Sequence, residues 1–191
     1  ILALFLCALA FSWNHFQHAA QKPVKKNSST SSYAALWNQV DSLEKKGLNK
    51  SALLIVMKIY QQSRAENNTP QLLKSVIHRM KFSGYTEEDD LIKSISALKD
   101  DCRNAVFPAN AILHSMLAET YWNYYQQNRW KFMNRSVTVD FNNDDISTWD
   151  LDKIFQQTVS EYRRSLDMQD QEMKIKSNIF DDILEIGRAH V

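Results

Sequence analysis

The stretch that decides the fold reads YWNYYQQNRWKF and covers residues 121–132. Tyr121, Trp122, Tyr124 and Tyr125 stand at positions i, i+1, i+3 and i+4, so their rings lie on two faces of one helix. Two aromatic faces are typical of a helix that packs between neighbours on both sides. We therefore predict that these rings form a buried seam and anchor the loop after the helix. Truncating Tyr121 or Trp122 to alanine should cost about 3 to 5 kcal/mol of stability if the ring is fully buried.

The charge of the chain argues against nucleic-acid binding. Lysine and arginine number 23 against 22 acidic residues, which gives a net charge of +1 over 191 residues. A stacking platform for bases needs a basic groove beside the rings, and here only Arg129, Lys131 and Arg135 lie near the aromatic stretch. We predict no nucleic-acid partner.

The remaining chain shows helical periodicity from about residue 33 to residue 184. Apolar residues recur at helical spacing, and the whole chain contains only three Gly and three Pro, which leaves few places for sheet turns. Six helices fit this pattern. They are predicted over 33–46 and 49–67, from 69 to 84, from 86, from just after 108 to about 128, and from 148 past 166.

Several residues predict where these helices begin and end. Gly47 supplies a C-terminal stop for the first helix, and Gly84 closes the third. Thr69 is predicted as the N-cap of the third helix, with Pro70 at its first helical position. Thr86 caps the fourth helix, and the carboxylates of Glu87, Glu88 and Asp89 fill its first turn, where they oppose the positive end of the helix dipole.

The fold class predicted from these elements is all-α. Antiparallel helical hairpins of similar size would stack as a right-handed array like that of tetratricopeptide repeats, within one domain over residues 33–184. The match to that repeat's sequence pattern is loose, with Ala52 and Pro70 as the better agreements. Helical periodicity is lost after Arg129, so one irregular loop or short extended stretch is predicted around 129–147. In it Val137, Val139 and Phe141 alternate with polar residues.

Both ends of the chain differ from the domain. Residues 1–11, ILALFLCALAF, have the length and composition of a signal-peptide core, so residues 1–20 are predicted to be an incomplete signal peptide with cleavage near Ala20. Residues 21–32, QKPVKKNSSTSS, are predicted to be a flexible linker. Residues 185–191, EIGRAHV, resemble the translation of a sequencing adapter. The expected location is outside the cytoplasm, in the periplasm or cell envelope or secreted, with membrane contact only through the export signal.

Cysteine and histidine offer no catalytic pattern. Asp100 and Asp101 precede Cys102 and favour the protonated thiol over the nucleophilic thiolate. His78 and His114 stand alone on separate helices, and the other three histidines lie near the two ends. We predict no catalytic, metal-binding or cofactor-binding residues and no enzymatic activity, because a helical enzyme would need a converging set of titratable groups.

One acidic stretch resembles the start of a calcium loop. Asp140, Asn142 and Asp144 alternate as calcium ligands do, but Asp145 stands where glycine is required and Leu151 where a bidentate glutamate should be. The stretch is better explained as a turn rich in Asn and Asp that leads into a capped helix.

Four stretches carry a resemblance to a known family. These are YAALWNQVDSLEKKG (33–47), PQLLKSVIHRMKF (70–82), YWNYYQQNRWKF and DISTWDLDKIF (145–155). Together they resemble the N-terminal helical region of large bacterial alpha-2-macroglobulin-like proteins. The resemblance implies an exported protein whose later domains trap or inhibit proteases, often through a bait segment and a Cys-x-Glu-Gln thioester. Cys102 is followed by Arg103, Asn104 and Ala105, so no functional residue of the family can be placed on this sequence.

The partners implied by this resemblance are later macroglobulin domains of the same chain and, through them, proteases. The alternative is a stand-alone exported scaffold of helical repeats that binds a peptide or protein partner in a concave groove. The two alternatives share a fold and differ in the chain beyond residue 184.

Overall fold

The computed structural model describes residues 29–85, 90–133, 145–181 and 183. The chain divides into two compact units, Ile1–Ser32 and Tyr33–Val191. Of the first unit only residues 29–32 are described, as the start of a helix, and the other helices belong to the second. Within the described ranges every regular element is helical, which confirms the all-α prediction.

Eight α-helices lie in the described part of the chain. Their bounds are α1 Ser29–Lys45, α2 Asn49–Ala65, α3 Thr69–Gly84, α4 Asp90–Asn104, α5 Ala109–Gln127, α6 Arg129–Met133, α7 Leu151–Ser165 and α8 Gln169–Glu172. Two short 3-10 turns, Ile146–Thr148 and Ser177–Phe180, stand before α7 and after α8.

Neighbouring helices pack as successive hairpins. Helix α2 packs against α3 across a connection of residues 66–68, and α4 packs against α5 across residues 105–108. Short connections of this kind place consecutive helices side by side and antiparallel. Helix α5 also packs along α7, so α5 has neighbours both before and after it in the chain.

Two groups of buried side chains hold these helices together. The smaller one, here called the α1–α3 cluster, contains Tyr33, Trp37, Val40, Ala52, Val56, Ile59 and Phe82. The larger one, the α2–α7 cluster, contains Tyr60, Leu73, Val76, Ile95, Leu98, Ala109, Leu113, Leu117, Tyr121, Tyr124, Phe132, Ile146, Trp149 and Ile154. Polar contacts also join helices near the first cluster, since the indole N–H of Trp37 donates to Gln71 Oε1 over 2.6 Å.

The helix ends agree with the sequence in part. Gly47 has a φ of +69°, a left-handed conformation that suits glycine at a helix end, so its prediction as a stop is confirmed. The N-cap of α3 is Asn68 and not Thr69: the Asn68 side chain accepts from the Gln71 backbone N–H over 3.3 Å. Gly84 is the last residue of α3 and Tyr85 is its C-cap. The predicted cap Thr86 and the acidic turn after it lie outside the described residues.

The region predicted as a loop contains helical structure. Residues Arg129–Met133 form α6 directly after α5, so the prediction of irregular chain from 129 onward is wrong at its start. Residues 134–144, which include the alternating apolar residues, lie outside the described ranges. Helix α7 begins at Leu151 and not at Thr148, because the Asp150 carboxylate accepts from the Lys153 backbone N–H over 2.8 Å and caps the helix there. It ends at Ser165 and does not run past residue 166.

The aromatic stretch is buried on one face only. Tyr121 is 1% exposed and Tyr124 is 5% exposed, which confirms that they belong to the core. Trp122 is 39% exposed, so the prediction of two covered faces is wrong on that side. Trp122 lies at the outer edge, where its ring contacts Tyr125 of the same helix and Phe155 of α7, with ring centroids at 5.3 and 6.0 Å.

Candidate functional site

A cavity of about 620 Å³ opens between α4, α5 and α7. We call it the α4–α7 cavity. Its wall residues combine titratable side chains with aromatic and aliphatic ones, and they come from the consecutive helices α4 and α5, from α7 and from the residues that flank α7. The wall includes Lys99, Cys102, Arg103, Asn110, His114, Leu117, Tyr121, Trp149, Lys153, Gln157, Glu161, Arg164 and Asp167.

The floor of the cavity is apolar. Leu117, Tyr121 and Trp149 are each 1 to 2% exposed, and the rings of Tyr121 and Trp149 pack with centroids 5.4 Å apart at an angle of 46°. Burial, followed by the nearby Glu161 carboxylate, raises the pKa of the Tyr121 hydroxyl well above its usual value. The phenol therefore stays protonated and can donate a hydrogen bond.

A buried carboxylate lies in the cavity wall between two bases. Glu161 Oε2 lies 2.6 Å from His114 Nδ1, and Glu161 Oε1 accepts from the Arg164 guanidinium over 3.1 Å. The Glu161 side chain is 5% exposed and that of His114 is 15% exposed. A buried carboxylate is tolerated only with such partners, and each of its oxygens has one here. When His114 is protonated, its contact with Glu161 is an ion pair.

The mouth of the cavity is basic. Four wall residues have basic side chains, namely Lys99, Arg103, Lys153 and Arg164, against two acids, Glu161 and Asp167. Arg103 also pairs with Asp100, which lies outside the wall, over 3.2 Å. The whole chain carries a net charge of only +1, so positive charge is concentrated at this place. A concave, partly apolar wall strengthens such a local field and favours an anionic ligand.

Two further wall residues, Lys153 and Asn110, have distinctive surroundings. Lys153 Nζ lies 5.7 Å from the centroid of the Trp149 ring, which joins the basic mouth to the aromatic floor. Asn110 also lines the cavity, and its side-chain oxygen is buried with no hydrogen-bond donor among the described residues. A buried carbonyl oxygen without a donor is costly to the folded state, and its burial keeps it out of reach of a ligand in the cavity.

Cys102 lies in the cavity wall as a free, half-buried thiol. Burial raises its pKa to about 12, and the carboxylates of Glu161 and Asp101 add to the effect. The predicted preference for the protonated thiol is confirmed, although burial contributes more to it than the adjacent aspartates. A thiol in that state is a poor nucleophile.

The two histidines predicted to be isolated have different surroundings. His114 belongs to the cavity, whereas His78 lies between Trp37 and Phe82, with ring centroids at 4.8 and 5.9 Å. Burial lowers the pKa of His78 to about 4. Neither of its ring nitrogens has a hydrogen-bond partner among the described residues.

No group of three potential metal ligands comes together in the described ranges. Of the residues that resemble a calcium loop, 140–144 lie outside those ranges. Asp145 caps the 3-10 turn by accepting from the Ser147 backbone N–H over 2.9 Å and from its hydroxyl over 2.6 Å. These two hydrogen bonds lower the pKa of the Asp145 carboxyl. The described part of this stretch therefore behaves as a capped turn.

A second buried ionic group joins three helices. Asp101 accepts from the Tyr60 hydroxyl and from the Arg79 guanidinium, each over 2.5 Å, and Arg64 donates to the Tyr60 oxygen over 3.0 Å. The Asp101 side chain is 4% exposed and that of Arg79 is 12% exposed. The network ties α2 and α3 to α4, and we interpret it as structural because its donors and acceptors satisfy one another.

Sequence reasoning did not find Glu161, Arg164, Asn110 or Trp149. One signal was available: Ile154, Thr158 and Glu161 follow each other at helical spacing, and all three are buried in α7. A glutamate on the buried face of a helix indicates a partner on a neighbouring helix, but the sequence does not show which one.

In the described part of the chain, no helix is long and apolar enough to cross a membrane. Compared with protein-family models, with curated proteins and with solved structures, the chain gives no significant match.

Proposed function

We propose that this chain is a non-catalytic helical binding module and that the α4–α7 cavity is where it holds a segment of polypeptide. The observation that carries the proposal is the cavity itself, whose volume of about 620 Å³ suits several side chains. Its apolar floor and basic mouth give such a segment both an anchor and a means of orientation. The protonated Cys102 thiol supplies no activated nucleophile for an alternative role in covalent catalysis.

We further propose the protein context: the N-terminal helical region of an exported alpha-2-macroglobulin-like protein, located in the periplasm or envelope or secreted. Later domains would trap proteases, and this region would contact them. An exposed apolar strip supports a covering domain, because Trp122, Phe155, Val159 and Tyr162 are 36 to 47% exposed along α5 and α7.

The finer architecture belongs to the same proposal. The successive hairpins α2–α3 and α4–α5 and their short connections support a right-handed array like that of tetratricopeptide repeats. Each hairpin would then cover the apolar face of the next.

The second candidate is a stand-alone exported scaffold that binds a separate peptide or protein. The exposed, basic mouth of the cavity favours it, since the Arg164 and Arg103 side chains are 56% and 66% exposed and accessible to a partner. The two candidates place the same segment-binding site in different proteins.

The source gene distinguishes the two contexts. Its reading frame would be determined through and beyond the codon for Leu184. A long open frame that encodes repeated β-sandwich domains supports the macroglobulin context. A stop codon soon after Leu184, with EIGRAHV encoded in the genome, would exclude it and leave the stand-alone scaffold.

Binding at the cavity is tested separately by selecting random peptides on the folded chain. Gln157 lines the cavity on α7, so Gln157→Trp should obstruct it. The adjacent Gln156 is exposed and does not line it, so Gln156→Trp is the matched control. Selected peptides should bind the control and lose affinity for Gln157→Trp. Equal binding to both variants would refute the proposed site.

A further inference from the structure

We propose that the exposed face of α2 binds the surface of an anionic lipid membrane, with its lysines at the phosphate groups and Leu54 inserted among the lipid chains. We call this surface the lysine face. It consists of exposed side chains of α2, of the end of α1 and of the connection between them: Lys45, Lys46, Leu48, Lys50, Leu54 and Lys58. The inference goes beyond the proposed function, because none of these residues lines the α4–α7 cavity. It adds a membrane contact to the one expected from the export signal.

Helix α2 has one buried side and one side that carries lysines. The buried residues are Ala52, Val56, Ile59, Tyr60 and Ser63. With 3.6 residues per turn, Lys50, Leu54 and Lys58 fall within an arc of about 80° on the opposite side and span about 12 Å along the helix. All three are exposed, and Leu54 is 67% exposed. The whole helix contains no acidic residue, so its exposed side is purely basic and aliphatic where these three residues lie.

The first part of the chain is basic, although the chain as a whole is nearly neutral. Residues 1–65 contain eight of the 23 Lys and Arg residues and two of the 22 Asp and Glu residues, which leaves 15 and 20 for residues 66–191. The formal charges of the two parts are therefore +6 and −5, and the total of +1 conceals the difference. A charge asymmetry of this kind indicates that the basic part contacts an anionic surface.

The charges of the lysine face are available to a partner. Among the described residues, none of its four lysines has a salt-bridge partner. The acids that precede it in the chain are Asp41 and Glu44, and Glu44 Oε1 already lies 2.5 Å from Lys81 Nζ. At the other end of α2, Glu66 accepts from the Tyr33 hydroxyl over 2.7 Å. Asp41 offsets one of the four positive charges, so the surface keeps an excess of positive charge.

Leu54 distinguishes a lipid surface from other polyanions. It stands one helical turn from Lys50 and one from Lys58, so a partner that binds both ammonium groups also contacts this aliphatic side chain. Single-stranded nucleic acid is bound by stacking its bases on aromatic rings, and the lysine face contains no ring. A bilayer offers phosphates with hydrocarbon beneath them, and lysine stems lie along apolar surface while the ammonium group stays among the headgroups. Leu48, which is 49% exposed, adds a second aliphatic side chain.

The experiment measures how the full 191-residue chain sediments with vesicles. Vesicles of phosphatidylglycerol and phosphatidylcholine in equal parts are compared with vesicles of phosphatidylcholine alone. Residues 1–11 are apolar and can bind both kinds of vesicle, so the measured quantity is the ratio of the two affinities. We expect binding to the anionic vesicles to be at least about tenfold tighter at low salt, and most of this difference should disappear in about 0.5 M NaCl.

Matched charge variants locate the contact. A double variant with Lys50→Gln and Lys58→Gln should bind the anionic vesicles about tenfold more weakly or worse, because each lysine near an anionic membrane contributes a factor of about five. Lys174 and Lys176 are exposed in another part of the chain. Lys174→Gln with Lys176→Gln changes the net charge equally and should bind the anionic vesicles like the unaltered chain.

A second pair of variants tests the insertion of Leu54. Leu54→Gln should weaken binding to the anionic vesicles by about threefold or more, because it removes apolar surface that enters the lipid. Val106 is 63% exposed in the connection between α4 and α5, so Val106→Gln is the control and should leave vesicle binding unchanged. All of these side chains are exposed, and melting curves establish that each variant is folded.

Each other outcome overturns the inference. Equal affinity for the two kinds of vesicle would show that the lysine face does not bind anionic lipid, and equal losses for the two double variants would show that only net charge matters. If duplex DNA binds in place of vesicles and depends on Lys50 and Lys58, the partner is nucleic acid. If these lysines instead support a salt-sensitive dimer, the occupant is the acidic part of a second copy. Gln157→Trp should leave vesicle binding unchanged, so these outcomes are independent of the cavity.

Discussion

Replacing His78 by phenylalanine should remove the part of the acid-induced loss of stability that His78 causes by binding a proton in the unfolded chain. The His78 ring is 7% exposed, lies between Trp37 and Phe82, and has neither nitrogen hydrogen-bonded within the described structure. Burial is the main cause that lowers its pKa, and the ammonium groups of Lys81 and Lys74 lower it further. The carboxylates of Glu44 and Asp41 act in the opposite direction and are weaker. The folded state therefore holds a neutral ring.

The sign of the effect follows from proton uptake. The pKa of His78 is about 4 in the folded state, against an ordinary value of 6.5. Between these two values the unfolded chain binds a proton that the folded chain does not, so the free energy of unfolding falls as the pH falls. Above pH 6.5 this group does not affect the free energy of unfolding. Below about pH 4 its destabilising effect is complete. The full loss amounts to about 3 kcal/mol.

The assay is urea denaturation of the unaltered chain and of His78→Phe across this pH range. Phenylalanine keeps a planar ring in the site and does not titrate. At neutral pH the two proteins should differ by at most about 2 kcal/mol, because removing two unpartnered nitrogens offsets the slightly larger ring. Between neutral pH and pH below 5, the free energy of unfolding should fall less in His78→Phe than in the unaltered chain. The difference between the two losses should reach up to about 3 kcal/mol.

Phe82→Leu serves as a control, because it weakens the same apolar contacts without changing a titratable group. Its loss of stability should be nearly constant with pH. If the unaltered chain and His78→Phe lose stability in parallel as the pH falls, the neutral, buried state of His78 is wrong.

Three further predictions test the core and the buried charges. Tyr121 is 1% exposed, so Tyr121→Ala should reduce the free energy of unfolding by about 3 to 5 kcal/mol, whereas Trp122→Ala, at a site that is 39% exposed, should reduce it by at most about 1 kcal/mol. Equal melting temperatures for the two variants would contradict this burial pattern. In urea denaturation, Asp101→Asn should lower the free energy of unfolding by about 3 kcal/mol, because it leaves the buried Arg79 without its carboxylate. Asp100 is exposed, so Asp100→Asn should change that free energy by at most about 0.5 kcal/mol, and similar losses for both variants would refute the structural role of the network. The pKa of Cys102 is raised to about 12, so its thiol should resist iodoacetamide near pH 8 in the folded chain and react after denaturation, as followed by mass spectrometry of its peptide. Rapid labelling of the folded chain would show an accessible thiolate and contradict the buried, protonated state.

The helices were predictable because their signals are local. The apolar period, Gly47 and the short connections between helices each act within a few residues, and α2 and α5 begin where the sequence indicates. The errors also have local causes. Asn68, and not the predicted Thr69, is the N-cap of α3. Asp150 is the N-cap of α7, which therefore begins after it and not at the predicted Thr148. Both members of each pair are good caps, so tertiary context decides between them.

The cavity was not predictable because it depends on contacts between distant residues. Glu161 and His114 are 47 positions apart, and nothing in either helix alone indicates that they meet. The exposure of Trp122 has the same origin: periodicity shows that a helix has two aromatic faces but not how many neighbours are present to cover them. A converging set of titratable groups does exist in the fold, although no local pattern indicates it.

The division of the buried side chains into two clusters has a consequence for how the molecule opens. His78 contacts the α1–α3 cluster, while Leu117, Tyr121 and Trp149 of the cavity floor lie in the α2–α7 cluster. Acid should therefore loosen the first cluster before the second. Amide hydrogens of α1 would exchange with solvent at mildly acidic pH while those of α5 remain protected, so the chain would release its first helix and keep the ligand cavity assembled.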